Sequence, residues 1–330
     1  MFWIGEYAVL FGGPAVVAAV NRYAFAYAEA SKETSELKLS SSMSKNEVCV
    51  DASRGIEDSR PEWALLRAVF ETLRAAFSDW TPPSGSIHFD SSHLSAEEKL
   101  GLGSSGAVAV LAVKLLGGGH IQNREQLQTL AFDAHRRFQG GIGSGGDIIA
   151  STWGGLQMIR GDKRRAVGVP ENLHVGALYS GTDALTGDLV RKVKQARLED
   201  SQVEAILREM GECAANGVRA LDEERIERWL TCIERFHGLE RELTRASGAP
   251  IVSDAVQACV DLAKEAGCVA KASGAGGGDV IVAFSNNESG LQRLRERASE
   301  HPRITFIPLE IDRNGICPCG EPPTIRSADY

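Results

Sequence analysis

Glycine constrains this chain more than any other feature. There are 35 in 330 residues, against the ~7% typical of globular proteins. They gather at 12–13, 101–106, 117–119, 140–146, 154–155 and 274–278. A folded chain uses such clusters where backbone must bend sharply or approach a ligand. With 43% hydrophobic and 24% charged residues, the composition is that of a globular protein and excludes collagen and disorder.

The length suits roughly two domains and a core that needs no covalent staple. The seven cysteines are scattered, which fits free thiols in a reducing compartment. Cys317 and Cys319 form the only close pair, with no second pair or nearby histidine to complete a zinc site. The net charge of −8 argues against a general nucleic-acid binder. The apolar run Ala107–Val113 stops at Lys114, well short of a membrane span. No basic, apolar leader opens the chain, so the expected location is the cytoplasm.

Strands are expected at Phe2–Ile4, Glu6–Leu10, Pro14–Val20, Glu47–Val50, Ser86–Phe89, Leu173–Tyr179, Val280–Phe284 and Ile304–Ile311. Leu66, Val69, Phe70, Leu73 and Phe77 recur at helical spacing, predicting a helix over 59–80. Ser59 and Glu62 would form its capping box. Helices are also expected at 104–116, 125–137 and from 146. The second half is helix-rich, at about 188–196, 200–217, 221–246, 253–266 and 289–299. The domain boundary is placed near 165, and the tail from Gly315 is read as loosely held.

Three glycine loops could carry chemistry. In Gly101-Leu-Gly103-Ser104-Ser105-Gly106, backbone N–H groups can close on a phosphate, and the helix behind adds free donors and partial positive charge. Ser104 and Ser105 offer hydroxyls to phosphate or Mg²⁺, and Lys99 offers a cation. The same glycines fit a dinucleotide fingerprint, but that needs a hydrophobic strand just before them, and Ser95–Lys99 is not one. In the second loop, 140–147, Asp147 emerges into an apolar helix. It could orient or deprotonate a substrate hydroxyl, or cap the helix. The third, Lys271–Asp279, has the look of an anion-binding nest of amides. The histidines show no metal spacing; His135, near the second loop, reads as structural.

These loops, in this order, resemble the three motifs of the GHMP kinase family. Gly5-Glu6-Tyr7 through Pro14–Val20 is similar to the first motif, 99–107 to the second and Ser273–Asp279 to the third. The resemblance covers nearly the whole chain. It implies an α+β fold, with a ribosomal-S5-like N-terminal domain (1–165) and a ferredoxin-like C-terminal domain (166–330). It also implies phosphoryl transfer from ATP with Mg²⁺. Asp147 and Lys99 would be catalytic. Gly101, Gly103, Ser104, Ser105 and Gly106 would hold ATP phosphates, with the two serines near the metal. Glu6, Tyr7, Ser144, Ser273, Gly274, Ala275 and Gly276 would face substrate.

Gly5-Glu6-Tyr7, 99–106 and 274–279 look most like the phosphomevalonate kinase branch, whose acceptor is (R)-5-phosphomevalonate and whose product is the 5-diphosphate. Ser151–Gly155 instead resembles mevalonate kinase, which with other small-alcohol kinases is the main alternative. Two departures stand out. The family's usual Gly-Lys pair would fall before Met1, which keeps a non-catalytic nucleotide- or metabolite-binding homologue in view. The glutamate that mevalonate kinases carry about eleven residues before the acid is replaced here by His135-Arg136-Arg137, whose arginines would suit an anionic acceptor. The expected partners are ATP and a small phosphorylated acceptor. The sequence leaves the oligomeric state open, a homodimer among the options.

Overall fold

The computed structural model describes residues 1–94, 101–141, 143–182 and 186–319. The first half runs β1 (Phe2–Ile4), β2 (Ala15–Ala18), β3 (Phe25–Ala30), β4 (Leu37–Ser41), β5 (Val48–Val50), α1 (Ala64–Ala76), β6 (Gly85–Asp90), α2 (Ser104–Gly117), α3 (Arg124–Phe138), α4 (Gly146–Trp153), β7 (Leu156–Arg160) and β8 (Lys163–Val167). The second runs β9 (His174–Tyr179), α5 (Thr186–Glu199), α6 (Ser201–Asp222), α7 (Ile226–Ser247), α8 (Asp254–Glu265), β10 (Val269–Ala272), β11 (Val280–Ser285), α9 (Glu288–Ser299) and β12 (Thr305–Pro308).

Among the described residues these strands form three four-stranded sheets. The first, β1-β2-β7-β8, is antiparallel throughout. The second, β3-β6-β4-β5, contains one parallel pair, β4 with β6. The third has the order β12-β9-β11-β10, all antiparallel. Counted along the chain that order is 4-1-3-2, the ferredoxin-like arrangement expected for the second half.

Alternation sets which face of each strand is buried. Leu37 and Leu39 of β4 and Ile87 and Phe89 of β6 face Val69, Leu73, Val113 and Leu130 of α1 to α3. A larger core runs from the first sheet to the third. At its centre Trp3, Trp229 and Phe284 pack with ring centroids 5.0–5.8 Å apart, contacts worth about 0.5–1.5 kcal/mol each beyond area burial. The first sheet and the second half therefore share one apolar core. Residue 165 lies inside β8, which is paired to β7.

Three local expectations differ. Glu6–Leu10 is not a strand: Tyr7 takes φ 59°, turning the chain into a short 3₁₀ helix at Ala8–Phe11. The Ser59–Glu62 capping box does not form. Pro61 starts a 3₁₀ turn, α1 begins after Trp63, and Glu62 pairs with Arg60 at 3.5 Å. The tail is anchored as far as Ile316, which packs on the second core and accepts at 3.2 Å from Arg124. No helix among the described residues is long and apolar enough to cross a membrane.

Candidate active site

The 101–106 glycine loop sits between two aspartates. Gly103, left-handed at φ 80°, is the N-cap of α2 and offers no side chain to its first turn. The first-turn N–H groups thus take no side-chain cap from Gly103, as an anion site requires. Steric fit explains two neighbouring glycines. A Cβ on Gly106 would stand 2.5 Å from Asp147 Oδ2, and one on Gly101 2.7 Å from Asp279 Cβ. Any side chain at either position would push an acid out of place. The Gly101 contact also joins the second motif to the third.

Asp147 lies in the first turn of α4, whose N-cap is Gly145. It is thus not the N-cap residue, yet it does serve the helix start as one of the two sequence readings expected, because its carboxylate takes a first-turn N–H. Oδ1 accepts from the Ile148 N–H at 2.9 Å, and Oδ2 faces His135 Nδ1 at 3.6 Å. The other ring nitrogen, Nε2, lies 2.9 Å from Ser105 Oγ. Ser144 accepts from the Gly146 N–H at 3.3 Å, one turn-forming bond before the acid. Beside Asp147 opens a cavity of about 750 Å³. Its wall is largely apolar, with Val110, Leu111 and Ile316, and carries Arg22, Lys114 and Arg124 as cations beside the acids Asp147 and Asp312. Arg136 and Arg137 are exposed on the last turn of α3 and do not line it. Lys99 lies outside the described residues.

Glu6 and Tyr7 face inward. Glu6 Oε1 meets Lys271 Nζ at 2.5 Å, and Lys271 reaches Glu240 Oε1 of α7 at 3.4 Å. Glu240 Oε2 lies 3.4 Å from His237 Nδ1. Lys271 and both glutamates are essentially fully buried. Burial pushes the Glu6 carboxyl up, with the Lys271 ammonium opposing and Glu240 adding to the rise. Burial disfavours the Lys271 charge, but Glu240 and Glu6 outweigh it and hold the lysine above its ordinary value. Burial, then Glu240 and Glu6, raises the Tyr7 phenol.

This knot grips the third loop. The Gly274 N–H donates to Glu6 Oε1 at 3.4 Å, Tyr7 Oη donates to the Ala275 carbonyl at 2.6 Å, and Ser273 Oγ donates to the Phe2 carbonyl at 3.0 Å. The Gly277 N–H donates to the Ile251 carbonyl at 2.7 Å. Where the resemblance expected Glu6, Tyr7, Ser273, Gly274 and Ala275 to face substrate, these bonds turn Glu6 Oε1, the Tyr7 hydroxyl, Ser273 Oγ, the Gly274 N–H and the Ala275 carbonyl toward the protein. The polar atoms named here are spent inside the protein, because a buried acid and phenol must find partners. Gly276, left-handed at φ 75°, sits between these anchors.

For a divalent metal, the nearby oxygen donors are Asp147 and the loop hydroxyls. No group of three or more metal-ligating side chains occurs among the described residues. One carboxylate plus hydroxyls suits Mg²⁺, which keeps waters and is carried largely by substrate phosphates. The residues fit a metal that arrives with a nucleotide.

Comparison with known proteins places these loops. The GHMP kinase N-terminal domain matches residues 64–155, and the GHMP kinase C-terminal domain matches 218–304. The phosphomevalonate kinase of Saccharolobus solfataricus is 30% identical over 315 residues, covering 91% of each chain. The chain belongs to the GHMP kinase family, and so to the ATP-using small-molecule kinases. The mevalonate kinase of Thermococcus gammatolerans is 28% identical over 327 residues, covering 93% of each. In fold the chain is similar to a Streptococcus pneumoniae phosphomevalonate kinase solved with phosphomevalonate and AMPPNP. The TM-score is 0.79 at 22% identity, over 94% of this chain and 97% of that one.

Sequence reasoning missed His135, Lys271, Glu240 and His237 as members of these clusters. His135 had a signal: it falls in the stretch where mevalonate kinases carry a metal glutamate. Lys271 opens the third motif. Glu240 and His237 lie mid-helix in α7 and carry no local signal.

Proposed function

We propose that this kinase transfers the γ-phosphoryl group of ATP to (R)-5-phosphomevalonate, giving 5-diphosphomevalonate and ADP in isoprenoid supply. The similarity to the Saccharolobus phosphomevalonate kinase across 91% of both chains carries the choice of acceptor. The cavity beside Asp147, with Arg22 and Lys114 on its wall, supports an anionic acceptor.

In this reading the α2 N-terminus and Gly101–Gly106 receive the ATP phosphates, with Lys99 as a further cation. An oxygen of the acceptor phosphate attacks the γ phosphorus in line. The new P–O bond forms as the bond to the bridging oxygen of ADP breaks. Such transfer needs positioning and charge neutralisation more than covalent chemistry. Mg²⁺, held by Asp147, the Ser104 hydroxyl and the nucleotide, would neutralise phosphate charge. An acceptor phosphate is already largely ionised near neutral pH, so Asp147 acts on the form that keeps one proton, accepting a hydrogen bond from its P–OH and taking that proton. The third loop, gripped by Glu6 and Tyr7, closes the phosphate side through Gly276.

Mevalonate is the second reading, favoured by the Thermococcus relative and by Ser151 on the cavity wall. A coupled ADP-release assay with MgATP and each acceptor decides. Turnover with 5-phosphomevalonate and not mevalonate is expected. Turnover with mevalonate alone replaces the proposal. ATP binding without turnover on either acceptor makes the chain a nucleotide-binding homologue.

A further inference from the structure

We propose that His135 is a positioning residue for phosphoryl transfer. It fixes the Asp147 carboxylate and ties it to the phosphate loop through Ser105. The inference rests on Asp147 being the acid beside the acceptor, as argued above.

The ring stands out on its own helix. The other buried side chains of α3 (Leu127, Leu130, Ala131 and Ala134) are all apolar. A polar ring in that row costs free energy unless its nitrogens are used. Nε2 is, at 2.9 Å from Ser105 Oγ, and Nδ1 faces Asp147 Oδ2 at 3.6 Å. An ionised carboxylate only accepts, so the nitrogen facing it must carry the hydrogen. That places the proton on Nδ1 and leaves Nε2 to accept the Ser105 hydroxyl. At 3.6 Å the Nδ1–Oδ2 contact is longer than a hydrogen bond. Catalytic hydrogen bonds in ligand-free enzymes are often long and tighten when substrate binds.

The arrangement answers an electrostatic problem. An anionic acceptor repels the Asp147 carboxylate, and Gly106, 2.5 Å from Oδ2 at its would-be Cβ, leaves space but no donor. The His135 N–H supplies the donor from the side away from the cavity. Because the same ring holds Ser105, Asp147 is set only when the first turn of α2 is in place. The nucleotide loop and the acceptor acid are thereby linked through one side chain.

Three substitutions separate the two contacts. An asparagine amide reaches the Nδ1 position and a glutamine amide the Nε2 position, while alanine reaches neither. His135→Ala is expected to lower kcat about 10²-fold, the scale of a displaced catalytic group, with KM for ATP little changed. His135→Asn restores most of the loss and His135→Gln does not. Wild-type kcat in His135→Ala overturns the proposal, as does rescue by glutamine in place of asparagine. Histidine ¹⁵N shifts of the full wild-type chain supply an independent readout should the variants fold poorly. An Nδ1–H tautomer that is disturbed by Asp147→Asn is expected, and an Nε2–H tautomer overturns the assignment. If the wild type turns over neither acceptor, the acceptor reading fails, while the tautomer still decides the role of His135.

Discussion

The molecule holds two clusters built from the same kinds of group, and they do opposite work. Around Lys271, two carboxylates and an imidazole are sealed under apolar cover, and the charge is spent holding motif one to motif three. Around Asp147, one carboxylate lies beside a cavity with a buried imidazole against it, and glycines keep the space clear. A buried charge is tolerated when its partners share it, and losing one partner strands the rest. A charge at a cavity wall stays available to a ligand. Burial of the carboxylate, more than residue type, separates the cluster that holds the fold from the one that opens on a cavity.

The comparison breaks most visibly at Asp147. Asp147→Asn is expected to cut kcat by roughly 10²–10⁴, the usual span for a positioned acid or base, with thermal stability unchanged. Turnover within a few-fold of wild type, in the assay above, would remove Asp147 from the chemistry. Lys271→Met should show the reverse pattern. It strands Glu6 beside Glu240 in a fully buried site, and removing one partner of a buried pair costs about 3–5 kcal/mol. Denaturant unfolding should report that loss, and adding Glu6→Gln should recover part of it.

The sign of the pH dependence follows from the raised Lys271 value. Its stabilisation is fully present below the unfolded lysine value of about 10.4 and is lost as pH rises through the higher folded value. On the alkaline side the gap between wild type and Lys271→Met should therefore narrow only above about pH 10.4; on the acid side it narrows as the stranded Glu6, already raised by burial, takes up a proton. A gap that closes as pH is raised from neutral to about 9, below that lysine value, would mean that the ammonium is not the source.

Gly106→Ala sharpens the boundary between the clusters. The added methyl meets Asp147 Oδ2 at 2.5 Å, so the carboxylate must move. A displacement of about 1 Å at such a site costs on the order of 10²-fold in rate. Steady-state kinetics should show the loss in kcat, with unfolding little changed. If stability falls instead, Gly106 serves the packing of α2 and not the clearance of the acid.

Much of the fold was legible where periodicity was strong. Leu66, Val69, Phe70 and Leu73 do sit on the buried face of α1, and α2, α3 and α8 begin or end close to their glycine and polar signals. The short β7, β8 and β10 were not read, because a strand of four or five residues is stabilised by neighbours far along the chain. Asp147 and the serine loop were legible because glycine clusters mark them. The inward turn of Glu6 and Tyr7 was not. It depends on Tyr7 adopting φ 59° and on partners 234 to 268 positions away, at Glu240 and Ala275. His135 was visible as a residue, yet its two contacts come from other helices that no local pattern specifies.

Tyr7 gives the smallest effect and the finest test of the division. Its hydroxyl donates to the Ala275 carbonyl at 2.6 Å, inside the protein. Tyr7→Phe keeps the ring and leaves that carbonyl without its donor, a change of about 1–3 kcal/mol for a buried group. If Tyr7 belongs with the holding cluster, the loss appears in unfolding, and the acceptor KM stays where it was. The phosphate side then softens only through the third loop, as a modest rise in KM for ATP. An unchanged unfolding curve with a raised acceptor KM would move Tyr7 across the divide. The phenol would then meet substrate directly, and the inward-facing geometry would describe only the ligand-free state.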